Sequence, residues 1–113
     1  MPDDVAPSQA ELLSIETRFE GAGVTITAEG ELDYTTSPRF LACVREVLDN
    51  DPRSINVDVH ALTFTDSSGL AALLQARGLV HDAGVAFRIS RPSPRLLRIV
   101  ELTGTKEYLL PDE

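Results

Sequence analysis

Leu13, Ile15, Thr17 and Phe19 alternate with Ser14, Glu16 and Arg18, the two-residue period of a strand with one buried face. Gly21-Ala22-Gly23 breaks the run. Val24, Ile26 and Ala28 then alternate with Thr25, Thr27 and Glu29, which predicts a second strand folded back on the first as a hairpin. The period changes at Ser37-Pro38. Phe40, Leu41, Val44, Val47 and Leu48 recur at helical steps as far as Asn50-Asp51-Pro52. Ser37 is expected to cap this helix through its hydroxyl, with Pro38 in the first turn, where no N–H donor is needed. Ile55, Val57 and Val59 predict a third strand, with Phe64 in the turn behind it. Leu70, Leu73, Leu74 and Val80 share one face of a second helix opened by Ser67, and Gly84 is placed to end it in a left-handed conformation. Val85, Phe87 and Ile89 predict another strand, and Ser93-Pro94 starts a third helix through Leu96, Leu97 and Val100 to Gly104. From Lys106 onward the pattern leaves a strand and a loose packing of Tyr108, Leu109 and Leu110 both open.

The order strand, strand, helix, strand, helix, strand, helix implies an α/β fold: a small mixed β-sheet with an N-terminal antiparallel hairpin, then helix-strand crossovers that pack helices on the sheet. Residues 1–10 carry Pro2, Asp3, Asp4, Pro7 and Ser8 with almost nothing large and apolar, and read as a flexible tail. Residues 11–113 read as a single domain, with no repeat and no second unit.

Composition narrows the function. With 42% hydrophobic and 25% charged residues, the chain can bury a core without disulfides or a structural metal. Cys43 is the only cysteine, so it has no partner for a disulfide or a shared metal, which suits a reducing compartment and makes the cytoplasm the expected location. No run approaches the roughly 20 apolar residues of a membrane span, and the acidic start lacks a signal-peptide pattern. A net charge of −8 opposes contact with a phosphate backbone, and the absence of Trp leaves little for base stacking, so direct nucleic-acid binding is not expected.

The candidate chemistry lies in Phe64-Thr65-Asp66-Ser67-Ser68-Gly69-Leu70, where a strand hands over to a helix N-terminus. In open α/β sheets, sites gather beyond the carboxyl ends of the strands, and helix N-termini offer unpaired N–H groups to anions. Gly69 is expected to remove a side chain that would crowd a partner approaching the two serines. Local physics also reads Asp66, Ser67 or Ser68 as a helix cap, a role compatible with the first. Asp33, ahead of Thr35, Thr36 and Ser37, reads equally as a turn former and as a site residue.

The loop and a second motif together resemble the STAS domain family, in particular its bacterial anti-sigma factor antagonists. Gly30-Glu31-Leu32-Asp33 is similar to the family's Gly-Glu-Leu-Asp at the end of the second strand, and residues 62–70 are similar to its phosphorylation loop. The resemblance spans Leu13 to Tyr108. It implies that Ser67 is the phosphoacceptor of an ATP-using anti-sigma factor kinase and that the unphosphorylated form binds this kinase and frees its sigma factor. It also implies that a phosphatase acting on phosphorylated Ser67 restores binding. Asp33, Asp66, Ser68 and Gly69 would then line the partner-binding edge. No cofactor of its own is implied, since ATP belongs to the partner. Family members commonly continue into a further C-terminal helix, whereas this chain stops at Glu113, so a trimmed capture surface is expected.

Arg91, Arg95 and Arg98 fall near one face at the start of the third helix and read as a solvated surface, outside the site. Cys43 reads as core or half-buried, and His60 and His81 are single, without metal-ligand companions. Two other functions compete. A STAS scaffold, or a subunit of a stress-signalling or lipid-transport complex, would not require the phosphoacceptor. A serine hydrolase using Ser67 with His60 or His81 lacks both the Gly-x-Ser-x-Gly elbow and an oxyanion loop.

Overall fold

The computed structural model describes residues 12–110, so the expected tail lies outside the described residues. Strand β1 (Leu13–Glu20) pairs antiparallel with β2 (Gly23–Leu32), in a register from Leu13 opposite Gly30 to Glu20 opposite Gly23. That register leaves Gly21 and Ala22 as the turn, and Gly21 takes φ +60°, which the tight connection requires. Helix α1 (Ser37–Leu48) follows and buries Phe40, Val44 and Val47.

The third strand is not one strand but two. Strand β3 (Ser54–Asp58) runs parallel to the first half of β2, and β4 (Leu62–Thr65) runs parallel to its last residues, after a jog through 59–61. Phe64, expected in a turn, is therefore part of β4. The cause is length: β2 has ten residues and β3 five, so β2 overruns its neighbour and leaves backbone groups for β4 to pair.

Helix α2 (Ser67–Asp82) buries Gly69, Leu70, Ala72, Leu73, Ala76 and Val80. It ends at Gly84 as expected. Gly84 takes φ +75° and donates to the His81 carbonyl at 2.9 Å, while the Val85 N–H reaches the Val80 carbonyl at 3.1 Å. Strand β5 (Ala86–Ser90) pairs parallel with β3, and α3 (Pro94–Thr103) starts with the Ser93 hydroxyl accepting from the Leu96 N–H at 3.2 Å. A single turn, α4 (Lys106–Leu109), brings Leu109 and Leu110 into the core. The segment whose structure the sequence left open is thus helical and packed.

The strand order is β1-β2-β3-β5, with β4 beside β2. Val24, Ile26 and Ala28 of β2, Ile55 and Val57 of β3 and Ile89 of β5 are buried on one face with the apolar sides of the helices. The opposite face carries Glu16, Arg18, Thr25, Thr27, Asn56 and Arg88. This alternation is what a sheet covered on one side demands.

Candidate functional site

The site is assembled where β2 and β4 end side by side. Leu32 pairs with Thr65, so the next residues, Asp33 and Asp66, leave adjacent parallel strands at the same level. Gly30 makes this alignment possible. It takes φ +107° at a register shift between Gly30 and Glu31, and a Cβ there would lie 2.2 Å from the Leu12 carbonyl oxygen.

Asp66 is the cap of α2. Its carboxylate accepts from the Gly69 N–H at 3.0 Å, and its backbone is extended, as an N-cap requires. Of the three residues the sequence left open for this role, the structure selects Asp66. Ser67, at the first helical position, is exposed, and no described residue engages its hydroxyl. Ser68 is half-buried, and its carbonyl lies 3.4 Å from the Ser37 hydroxyl, which ties the starts of α1 and α2 together.

Ser37 departs from expectation. Its hydroxyl donates to the Asp33 carbonyl at 2.6 Å instead of capping α1, whose N-cap position falls at Thr36 without a side-chain cap bond. The N–H groups at this helix start are served by Asp33. Its Oδ1 accepts from the backbone N–H groups of Thr35 at 3.0 Å and Thr36 at 3.2 Å and from the Thr35 hydroxyl at 2.8 Å. In return, the Asp33 N–H donates to Thr36 Oγ1 at 2.9 Å. Burial alone would push the Asp33 carboxyl up, but these bonds from Thr35 and Thr36 hold it below the ordinary carboxylate range. Asp33 is therefore a turn former in this structure, with one carboxylate oxygen committed to the turn.

Gly69 also departs. It is buried, and a Cβ there would lie 2.1 Å from Thr65 Oγ1 and 2.2 Å from the Leu32 carbonyl oxygen. Its missing side chain lets α2 sit against the ends of β2 and β4, so Gly69 clears space toward the core and not toward a partner. Two surface hollows adjoin the loop. One, of about 360 Å³, is lined by Tyr34, Ser37, Pro38, Leu41, Arg45, Ser68 and Gln75 between α1 and α2. The other, of about 480 Å³, includes buried Thr65 with Arg95, Arg98, Ile99 and Leu102 of α3.

Tyr34, 79% exposed, lines the first hollow with Ser37 and Ser68 and is a candidate site residue that sequence reasoning missed. The available signal was an aromatic residue inside a turn, where no core periodicity accounts for it. The arginines expected to form a solvated face separate into different roles. Arg95 stacks on the Phe64 ring at 4.9 Å, and Arg98 helps line the hollow beside Thr65. Arg91 precedes α3, takes φ +51° and binds Asp58 Oδ2 through Nη2 at 2.6 Å and Nε at 3.1 Å. On the same carboxylate, Oδ1 meets His60 Nδ1 at 3.0 Å and accepts from the His60 N–H at 3.2 Å. Burial would raise the Asp58 carboxyl, yet the bonds from Arg91 and His60 and the Arg91 charge hold it below its ordinary value. Cys43 is half-buried, and burial together with the nearby Glu46 carboxylate pushes its thiol up, away from the reactive thiolate. Among the described residues no group of three or more His, Cys, Asp or Glu side chains is placed to hold a metal.

The STAS domain family model matches residues 14–111. The chain belongs to the STAS family. Among curated relatives of this STAS domain is the anti-sigma-B factor antagonist of Staphylococcus aureus, 26% identical over 89% of this chain and 94% of the relative. Among solved structures, an anti-sigma factor antagonist from Mycobacterium paratuberculosis aligns with TM-score 0.76 at 21% identity, covering 86% of this chain and 82% of that one. The phosphorylated form of the Bacillus cell fate determinant SpoIIAA aligns with TM-score 0.64 at 21% identity, over 80% and 84% of the two chains. A sulfate transporter family protein from Wolinella succinogenes shares the fold as well, with TM-score 0.71 at 19% identity over 84% and 77%. At these identities the structures speak for the fold, and the role of the STAS domain must come from its own loop.

Proposed function

We propose that this STAS domain protein is an anti-sigma factor antagonist in the cytoplasm. In this reading its unphosphorylated form captures an anti-sigma factor kinase, and phosphorylation of Ser67 switches the capture off. One observation carries the reading. At the end of two adjoining strands, Asp33 and Asp66 are bound into turn and cap, Gly69 faces inward, and Ser67 presents an exposed aliphatic hydroxyl at the first position of α2 that no described residue engages. The name of the curated relative supports the reading.

Phosphate on Ser67 would stand on the first turn of α2, where the helix dipole and free N–H groups favour an anion, so the fold accommodates it. It would add a charge of about −1.5 to −2 next to Asp66, on the surface that meets the partner. The switch thus acts by charge at the interface, without refolding. The protein is a substrate and a binding partner, not an enzyme. The kinase brings ATP, and a phosphatase resets the loop. Ser68, with Tyr34 across the same hollow, would supply the rest of the contact.

The test compares Ser67→Ala and Ser67→Asp as baits in native extract. Recovery of a nucleotide-binding anti-sigma factor by the alanine bait, with at least tenfold less on the aspartate bait, is the expected result. Equal recovery on both baits, or no such kinase on either, would show that Ser67 is not the switch.

A further inference from the structure

Strand β1 is an edge strand: β2 is its only strand neighbour among the described residues. Its eight residues contain no proline and no register shift against β2; the Leu13 carbonyl is taken by the Arg39 guanidinium, and from Ser14 to Glu20 one backbone edge is left as a template for another strand. Its side chains are unusual for a bare edge. Phe19 is 53% exposed, although it lies on the same face of the sheet as buried Leu13. The other face presents Glu16, Arg18 and Glu20, charges of alternating sign.

We propose that β1 pairs antiparallel with β1 of a second copy of this chain about a twofold axis at Thr17, giving a homodimer with one continuous sheet. In that register Glu16 of each copy faces Arg18 of the other, and Ile15 faces Phe19. Shifting the axis to Glu16 sets Glu16 against itself, and shifting it to Arg18 sets Arg18 against itself and Glu16 against Glu20. With the axis at Ile15 no opposite charges meet. Among registers that pair at least five residues of β1, the Thr17 register alone places opposite charges across the interface.

The apolar face of the strand fits the same axis. A hollow of about 380 Å³ lies beside β1, lined by Ile15, Thr17, Arg39, Ala42, Cys43 and Glu46. The Phe19 ring of the second copy, opposite Ile15, is delivered to this hollow. Each copy therefore supplies a ring and a place to bury one, as a twofold interface requires. The two Ser67 loops follow β4, on the far side of β2 from this edge, and stay accessible.

Sedimentation velocity of the full chain over a concentration series is expected to show a monomer–dimer equilibrium. Arg18→Glu should weaken the dimer about tenfold, since it sets two carboxylates against each other twice, and Glu16→Arg with Arg18→Glu should restore it. Disulfide trapping fixes the register. Thr17→Cys in a Cys43→Ser background places two thiols on the axis at a Cα separation of about 4.5–5.5 Å, within bridging range, and should give a covalent dimer on mild oxidation. Ser14→Cys in the same background separates them by about 20 Å and should remain monomeric. A monomer at all concentrations overturns the proposal. So does a dimer indifferent to charge reversal, or equal cross-linking at both positions. A monomer whose outer β1 amides are protected from exchange would assign the edge to residues 1–11 and overturn it too. None of these readouts depends on a kinase or on Ser67.

Discussion

Two glycines of one helix show how a single residue's meaning depends on what surrounds it. Gly69 and Gly78 both lie in α2, but a Cβ on Gly69 collides with Thr65 Oγ1 and the Leu32 carbonyl, whereas a Cβ on Gly78 meets nothing within 4 Å. Gly69→Ala is expected to destabilise the fold by about 1–3 kcal/mol, because the Leu32 backbone carbonyl, which cannot swing aside, stands in the way along with the Thr65 hydroxyl. Gly78→Ala should stabilise it by up to about 1 kcal/mol, since alanine is the better helix former. Paired thermal melts read the opposite signs, and a Gly69→Ala protein as stable as wild type would refute the inward role of that glycine. The position was visible in the sequence; its direction was not. The motif around Gly69 suggests clearance for a partner, and only the packing of α2 on β2 and β4 shows that the clearance is internal. Asp58 is a similar case. Its partner Arg91 lies 33 residues away in a left-handed backbone conformation that no local pattern announces.

The helix starts explain why some elements were readable and others were not. Ser93-Pro94 behaves as the pattern says, because the extended backbone at Ser93 lets its hydroxyl turn to the Leu96 N–H. Ser37-Pro38 looks identical in sequence, but Asp33, four residues earlier, already serves the N–H groups there and draws the Ser37 hydroxyl to its own carbonyl. Two overlapping turn signals compete, and the earlier one wins. Strand β4 was illegible for a different reason: four residues carry too little periodicity, and the strand exists because β2 is longer than β3. At the start of α2, capping and charge are separable. Asp66→Asn keeps an oxygen acceptor for the Gly69 N–H and should leave the melting temperature nearly unchanged, whereas Asp66→Ala should cost about 1 kcal/mol. If both variants are captured alike by the proposed kinase partner once folded, Asp66 serves the helix and not the partner.

At the scale of the whole molecule, two carboxylates make stability depend on pH. Asp33 and Asp58 both titrate below their ordinary value in the folded chain, so the folded state binds protons more weakly than the unfolded one. Their contribution is fully present above the unfolded value of about 4 and is lost as pH falls through the folded values. Melting temperature should therefore be flat near neutrality and fall below about pH 5. Asp58→Asn should lower the plateau, because it strips the Arg91 pair, and should make the acid limb shallower. A wild-type curve with no acid limb would contradict the assignment.

The split between β3 and β4 has a mechanical consequence. Strand β3 is held on both sides, by β2 and β5, whereas β4 has β2 alone and leads straight into the loop that carries Ser67. Local opening should therefore begin at β4, and amides of Phe64 and Thr65 are expected to exchange with solvent ahead of those of Ile55 and Val57. If Ser67 is the phosphoacceptor proposed above, a kinase or phosphatase that takes it as an extended peptide would draw on this seam, peeling four residues and one helical turn while β1, β2, β3 and β5 stay zipped.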